Sequence, residues 1–218
     1  MKRLIFTILI AIACIPLITA QVKQGTILID GSLDIAHSKT DYSNSFVGSQ
    51  GTTKYTTLAF SPSAGYFIRP SWVVGAGVSY QYTHELNQDQ LNTPSSKTTS
   101  HAIFLTPYIK KYSRFLNKLY LTSALQLSGG LRETESTPGS NDSKSSSLSI
   151  TLRAGLAYFL SSRWGVSTSI ASLGYSHDRT KPTNGSLISD SDNNSFYLNL
   201  DINTFNFGVQ YYLRNKED

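Results

Sequence analysis

Residues 60–82 read FSPSAGYFIRPSWVVGAGVSYQY. After the turn at 68–71, one alternate set of side chains is Trp72, Val74, Ala76, Val78, Tyr80 and Tyr82. The set between them is Val73, Gly75, Gly77, Ser79 and Gln81. Successive side chains of a strand point to opposite faces. One face is therefore an apolar stripe with an aromatic at each end, and the other carries small and polar groups.

The same alternation occurs eight times along the 218 residues. The first strand, 26–36, sets Ile27, Ile29, Leu33 and Ile35 against Thr26, Asp30, Ser32 and Asp34. Further strands are expected over about 54–67, 72–84 and 101–112, the last being the least regular. The fifth sets Leu119, Leu121, Leu125, Leu127 and Leu131 against Thr122, Ala124, Gln126, Ser128 and Arg132. The sixth sets Leu148, Ile150, Leu152, Leu156, Tyr158 and Leu160 against Ser149, Thr151, Arg153 and Gly155. A seventh spans 164–175. The last, 196–213, changes phase: Phe196, Leu198, Leu200 and Ile202 share one face, whereas Phe205, Phe207, Val209, Tyr211 and Leu213 share the next. A bulge near Asn203 accounts for the slip.

Between the strands, long polar segments (37–53, 85–100, 133–147, 176–195) alternate strictly with short ones (68–71, 113–118, 161–163). Up-and-down hairpins place all long loops at one end and all short turns, with both termini, at the other. That asymmetry belongs to membrane barrels, with short periplasmic turns and long external loops. YFIRPSW at 66–72 and YFLSSRW at 158–164 echo one another across two short turns, and both tryptophans of the chain start strands there. Tyr108, Tyr112, Tyr120, Tyr211 and Tyr212 lie near the same end, where a girdle of aromatic rings is expected at the membrane boundary. The fold predicted is an all-β, eight-stranded, antiparallel up-and-down transmembrane β-barrel with four long extracellular loops. Its apolar stripes face lipid. The polar face, rich in Ser, Thr, Gly and Ala, does not suit the water-exposed wall of a soluble barrel carrying an apolar ligand.

The chain opens MKRLIFTILIAIACIPLITA. Two cationic residues, an apolar run and a small residue at Ala20 form a secretory signal, with cleavage expected before Gln21. Residues 21–218 are then one barrel domain. Removing 1–20 removes Cys14, the only cysteine, and with it any thiolate site or disulfide. It also lowers the formal charge from +5 to +3, spread along the chain, so no nucleic-acid partner is expected.

The stretch SPSAGYFIRPSWVVGAGVSYQY, the PYIKKY of the fourth strand and the terminal FNFGVQYYL make the chain resemble small Gram-negative outer-membrane β-barrel proteins, the porin-like outer membrane protein beta-barrel domain families. The resemblance covers essentially all of 21–218. It implies the cell outer membrane as location, and lipid bilayer, lipopolysaccharide and the outer-membrane insertion machinery as partners. Such chains usually end on an aromatic residue, whereas this one ends YYLRNKED. The favoured role is a non-enzymatic surface protein that meets ligands through its extracellular loops. Alternatives are a passive small-solute channel and a lipid A-modifying hydrolase, the chain being similar in size and topology to outer-membrane lipid A deacylases.

No catalytic, cofactor-binding or metal-ligating residue is assigned. His37, His84, His101 and His177 all map near the long-loop rim, and only His84 and His101, flanking one loop, can meet across a strand pair. Two histidines without a third fixed ligand do not make a zinc site. A nucleophile and base on one strand face need spacing i, i+2, and Thr99-x-His101 is the nearest such pair. Asp30, Asp34, Gln81, Gln126, Arg132, Arg153 and Gln210 should point inward. There they are expected to form a hydrogen-bonded, partly ion-paired plug in which Arg153 partners the aspartates, because an eight-stranded barrel is just wide enough for side chains. Gly75 and Gly77 thin the lumen face.

Overall fold

The structure is a computed structural model that describes residues 23–44, 49–89, 96–137, 142–183, 189–200 and 207–213. Its strands are β1 (Ile27–Asn44), β2 (Ser49–Arg69), β3 (Trp72–Asp89), β4 (Ser96–Arg114), β5 (Leu119–Thr137), β6 (Ser143–Phe159), β7 (Trp164–Pro182), β8 (Ser191–Leu200) and β9 (Phe207–Leu213). Every consecutive pair from β1 to β7 is antiparallel. β8 and β9 both pair with β7, and β9 pairs with β1 over Ile27–Ser32, so the sheet closes on itself. β8 and β9 together occupy the eighth place in the ring.

The apolar stripes lie on the outside. Among the described residues, 33 large hydrophobic side chains are exposed, including Ile35 at 70%, Ile103 at 59% and Phe196 at 75%. A water-soluble monomer does not carry a continuous apolar surface of this kind, so the medium around it is lipid. On β1 the stripe from Ile27 to Ile35 covers roughly 27 Å along the strand at ~3.4 Å per residue. Tilted by ~35–45°, it spans roughly 20 Å, near the ~25 Å apolar band of membrane barrels.

The strands run well beyond this band. Much of what reads as long loop in the sequence is strand: 37–44 pair with 49–56, and 85–87 with 96–98. Outside the membrane neither face meets lipid, so the alternation that marks a strand fades while the ladder continues. The hairpins therefore continue beyond the band as paired strands.

At the opposite end the connections are tight. Pro70 and Ser71 occupy the two central positions between Arg69 and Trp72, and Ser71 has φ 73°, as the second central residue of a type II turn requires. Between β6 and β7, Ser161 Oγ accepts from the backbone N–H groups of Arg163 (3.2 Å) and Trp164 (3.0 Å). The two echoed motifs do the same job at both turns. Tyr66 and Tyr158 face outward, Phe67 and Phe159 are buried inside, and the tryptophan follows the turn. Trp164 lies 4.7 Å from the Tyr211 ring, and Lys111 Nζ sits 5.5 Å from the centre of Trp72.

Two irregularities set the phase of the last strands. Ala154 pairs with Ala171 and Gly155 with Ser169, which leaves Ile170 as an extra residue and flips the face of β7 beyond it. On the other edge of β7 the pairs are Thr168↔Phe207 and Ala171↔Leu200. β7 advances three positions there and the last strand seven, a larger surplus than one bulged residue. Phe196, Leu198 and Leu200 face outward before it, and Phe207, Val209 and Leu213 after it. The phase change expected from the sequence is therefore present on both sides, while Asn203 itself lies outside the described residues.

Candidate functional site: the barrel interior

The lower end of the barrel is filled by an aromatic floor. Tyr112, Tyr120, Tyr212, Phe67, Phe159, Leu28 and Val73 are at most 1% exposed. Their rings touch in a chain: Phe67–Tyr112 at 5.6 Å between centroids, Tyr112–Tyr120 at 6.5 Å, Tyr120–Phe159 at 5.0 Å and Phe159–Tyr212 at 4.8 Å. Tilted, edge-on and stacked contacts of this kind stabilise beyond simple burial. This corrects the girdle expected from position along the strands. Tyr108, Tyr112, Tyr120 and Tyr212 point into the barrel, and only Tyr211 of that group faces out.

A polar clasp lies on the floor. Lys110 Nζ donates to Asp30 Oδ2 at 3.1 Å, and both side chains are 15% exposed. Gln210, fully buried, donates from Nε2 to Asp30 Oδ2 (3.0 Å) and to Tyr112 Oη (3.2 Å), and its Oε1 accepts from Tyr212 Oη at 2.7 Å. Lys110 also lies 5.4 Å from the Tyr108 ring centre and 6.0 Å from that of Tyr112. An inward ion pair is present, as anticipated, but Lys110 rather than Arg153 supplies the cation. Arg153 is exposed and makes no ion pair among the described residues. The register of the strands brings Lys110 of β4, and not Arg153 of β6, within reach of Asp30.

Above the clasp the interior is open. A cavity of about 650 Å³ is lined by small and polar side chains, among them Asp34, Gln81, Gln126 and Arg153. Arg132 is exposed nearer the mouth, beyond the cavity wall. The expected plug thus fills only the lower part of the lumen. Hydroxyls bond across neighbouring strands: Ser61–Ser79 at 2.8 Å, Thr106–Ser128 at 2.8 Å and Thr151–Tyr197 at 2.7 Å. The wall glycines make room for rings. A Cβ on Gly65 would lie 2.8 Å from Tyr108 Oη, and one on Gly75 would lie 2.7 Å from Tyr108 Cζ. Gly130 and Gly174 are covered in the same way by Phe104 and Tyr197. Tyr108 Oη is buried and has no hydrogen-bond partner among the described residues.

The model of the outer membrane protein beta-barrel domain family matches residues 6–212. The chain belongs to that family. The family's location, the cell outer membrane, agrees with the lipid-facing stripes. Among solved structures, this outer-membrane barrel is similar to the outer membrane protein OprG from Pseudomonas aeruginosa. Identity is 12%, the alignment covers 88% of this chain and 99% of that one, and the TM-score is 0.47. It is also similar to Neisserial surface protein A: 16% identity, 85% of this chain, 95% of that one, TM-score 0.38. No curated protein matches the chain significantly.

The histidines of this outer-membrane barrel all lie on its outer face just above the apolar band, each beside a hydroxyl or amide of the neighbouring strand. His37 Nδ1 is 2.9 Å from Thr56 Oγ1, and His177 Nδ1 is 3.0 Å from Asn194 Oδ1 and 3.3 Å from Asp192 Oδ1. His84 and His101 share one hairpin but have separate partners. His84 Nδ1 lies 3.5 Å from Thr99 Oγ1, whereas His101 Nδ1 lies 2.8 Å from Tyr80 Oη. Thr99 is thus not held by His101. Among the described residues no group of three or more His, Cys, Asp or Glu is placed to hold a metal ion. Higher on the outer face, Lys144 donates to Glu133 at 2.7 Å and holds its carboxyl below the usual range.

Proposed function

We propose that the protein is a non-conducting surface barrel that acts through its extracellular ribbons and open mouth. One observation carries this reading: the aromatic floor and the Asp30–Lys110–Gln210 clasp fill the periplasmic end of the lumen. Ions crossing such a floor would have to shed water against buried rings, at a cost of several kcal/mol. A rigid scaffold that raises variable polar segments above a surface is a common setting for recognition. Lipopolysaccharide is the natural neighbour of the histidines and lysines above the apolar band. Tyr211–Leu213 is the segment proposed for recognition by the insertion machinery.

Planar-bilayer recording tests the closed floor. The wild-type protein is expected to give no stable current steps. The triple variant Tyr112→Ala, Phe159→Ala, Tyr212→Ala should give them, because it removes three of the rings that close the lumen. Stable steps from the wild type would assign the protein to passive solute transport instead. We further propose that residues 1–20 are an export signal. The intact mass of protein purified from outer membranes should correspond to a chain starting at Gln21. A mass that retains Met1–Ala20 would overturn this.

A further inference from the structure

We infer that the cavity above the floor is a binding cup for a small neutral saccharide of one or two rings that enters from the extracellular side. This inference rests on the reading that the floor is closed.

Three features of the wall converge on that chemistry. The first is its hydroxyls. In each cross-strand pair, Ser61–Ser79 and Thr106–Ser128, one O–H is donated within the wall, which leaves the accepting hydroxyl its own proton and one lone pair for a ligand. The wall therefore offers donors and acceptors together within one cavity, which matches a polyol, itself donor and acceptor at every hydroxyl. An apolar ligand would leave these groups unsatisfied, at a cost.

The second is a pair of planar side chains that each offer two atoms in parallel. Arg153 on β6 and Asp34 on β1 stand three places apart around the ring, and neither has an ion-pair partner among the described residues. A guanidinium can donate to two adjacent oxygens of a diol, and a carboxylate can accept from two adjacent hydroxyls. One positive and one negative group leave the cup without a net bias for an ion, since Asp30 and Lys110 neutralise each other below. The third is aromatic surface: Phe104 and Tyr197, both half-buried, line the same space and supply apolar surface for the C–H side of a sugar ring. The volume, about 650 Å³, lies within the range of small-molecule sites and accommodates one or two rings with water.

The test is titration calorimetry of the full-length mature barrel in dodecylphosphocholine, whose headgroup contains no sugar. The probes are maltose and lactose as neutral disaccharides, glucuronate as an anionic sugar and glycine as a zwitterion. Saturable binding of a neutral disaccharide is expected. Arg153→Leu and Asp34→Leu should each weaken it by about tenfold, the loss of hydrogen bonds to one charged group. Heat-modifiable gel migration checks that each variant is folded. Thr106→Val, which keeps the side-chain shape and deletes one hydroxyl, should also weaken binding, and it serves if a charge variant does not fold. Absence of saturation with both disaccharides, tighter binding of glycine or glucuronate, or wild-type binding by the folded variants would each overturn the assignment. The current recordings report on the floor and the calorimetry on the wall, so the two outcomes are read separately. A conducting barrel that binds maltose refutes only the closed floor, and a silent barrel that binds no sugar refutes only the cup.

Discussion

Lys110→Met is expected to destabilise the barrel by about 3–5 kcal/mol, the typical cost of leaving one partner of a buried ion pair alone. Asp30 is 15% exposed and would keep only Gln210 as a neutral donor after the change. Urea titration in micelles, followed by the near-ultraviolet signal of the floor tyrosines, measures the shift. The double variant Asp30→Asn, Lys110→Met should recover most of the loss, because two neutral groups need no counter-charge. Arg153→Leu, by contrast, should move the midpoint by under about 1 kcal/mol, as expected for a side chain without such a partner. Equal losses at Lys110 and Arg153 would mean that the clasp is not where the cost of burying charge is met.

Gly75→Ala should cost about 1–3 kcal/mol through overpacking. The added methyl would meet the Ala64 carbonyl oxygen and lie 2.7 Å from Gly65 Cα. Both obstacles are backbone, so shortening Tyr108 to leucine in the same chain should not restore stability. Gly129→Ala provides the control: its methyl would meet nothing closer than Leu148 Cδ1 at 3.9 Å, and a change within ~0.5 kcal/mol is expected. Comparable unfolding midpoints for Gly75→Ala and Gly129→Ala would show that the close approach of β2 and β3 is not required.

The barrel itself was legible because lipid enforces alternation: wherever a strand crosses the membrane, one face must be apolar, as in Leu148, Ile150 and Leu152. The rule lapses at both ends. Above the band both faces are polar, so 37–44 and 49–53 read as loop although they pair. At the lower end, position along a strand does not fix the direction of a side chain. Tyr120 shares its phase with Thr122, Ala124 and Gln126, all inward, and that phase was the available signal that it belongs to the floor. The partner of Asp30 was not legible. Which cation reaches it depends on the tilt and stagger of β1 against β4, and these arise only when the ring closes. The extra residue at Ile170 gave no pattern of its own, because Ser167, Thr168 and Ser169 before it suit either face.

Gln210 ties Asp30 of the first strand to Tyr112 of the fourth from a position 180 residues down the chain. A contact spanning so much sequence is costly to reach early in folding. The Gln210 bonds can therefore close only once β9 lies beside β1. An unfinished chain arriving at the bilayer leaves a carboxylate and an ammonium without their amide neighbour, in a hole still open to water. The pairing of β9 with β1 that closes the ring is thus also what carries the amide to the carboxylate.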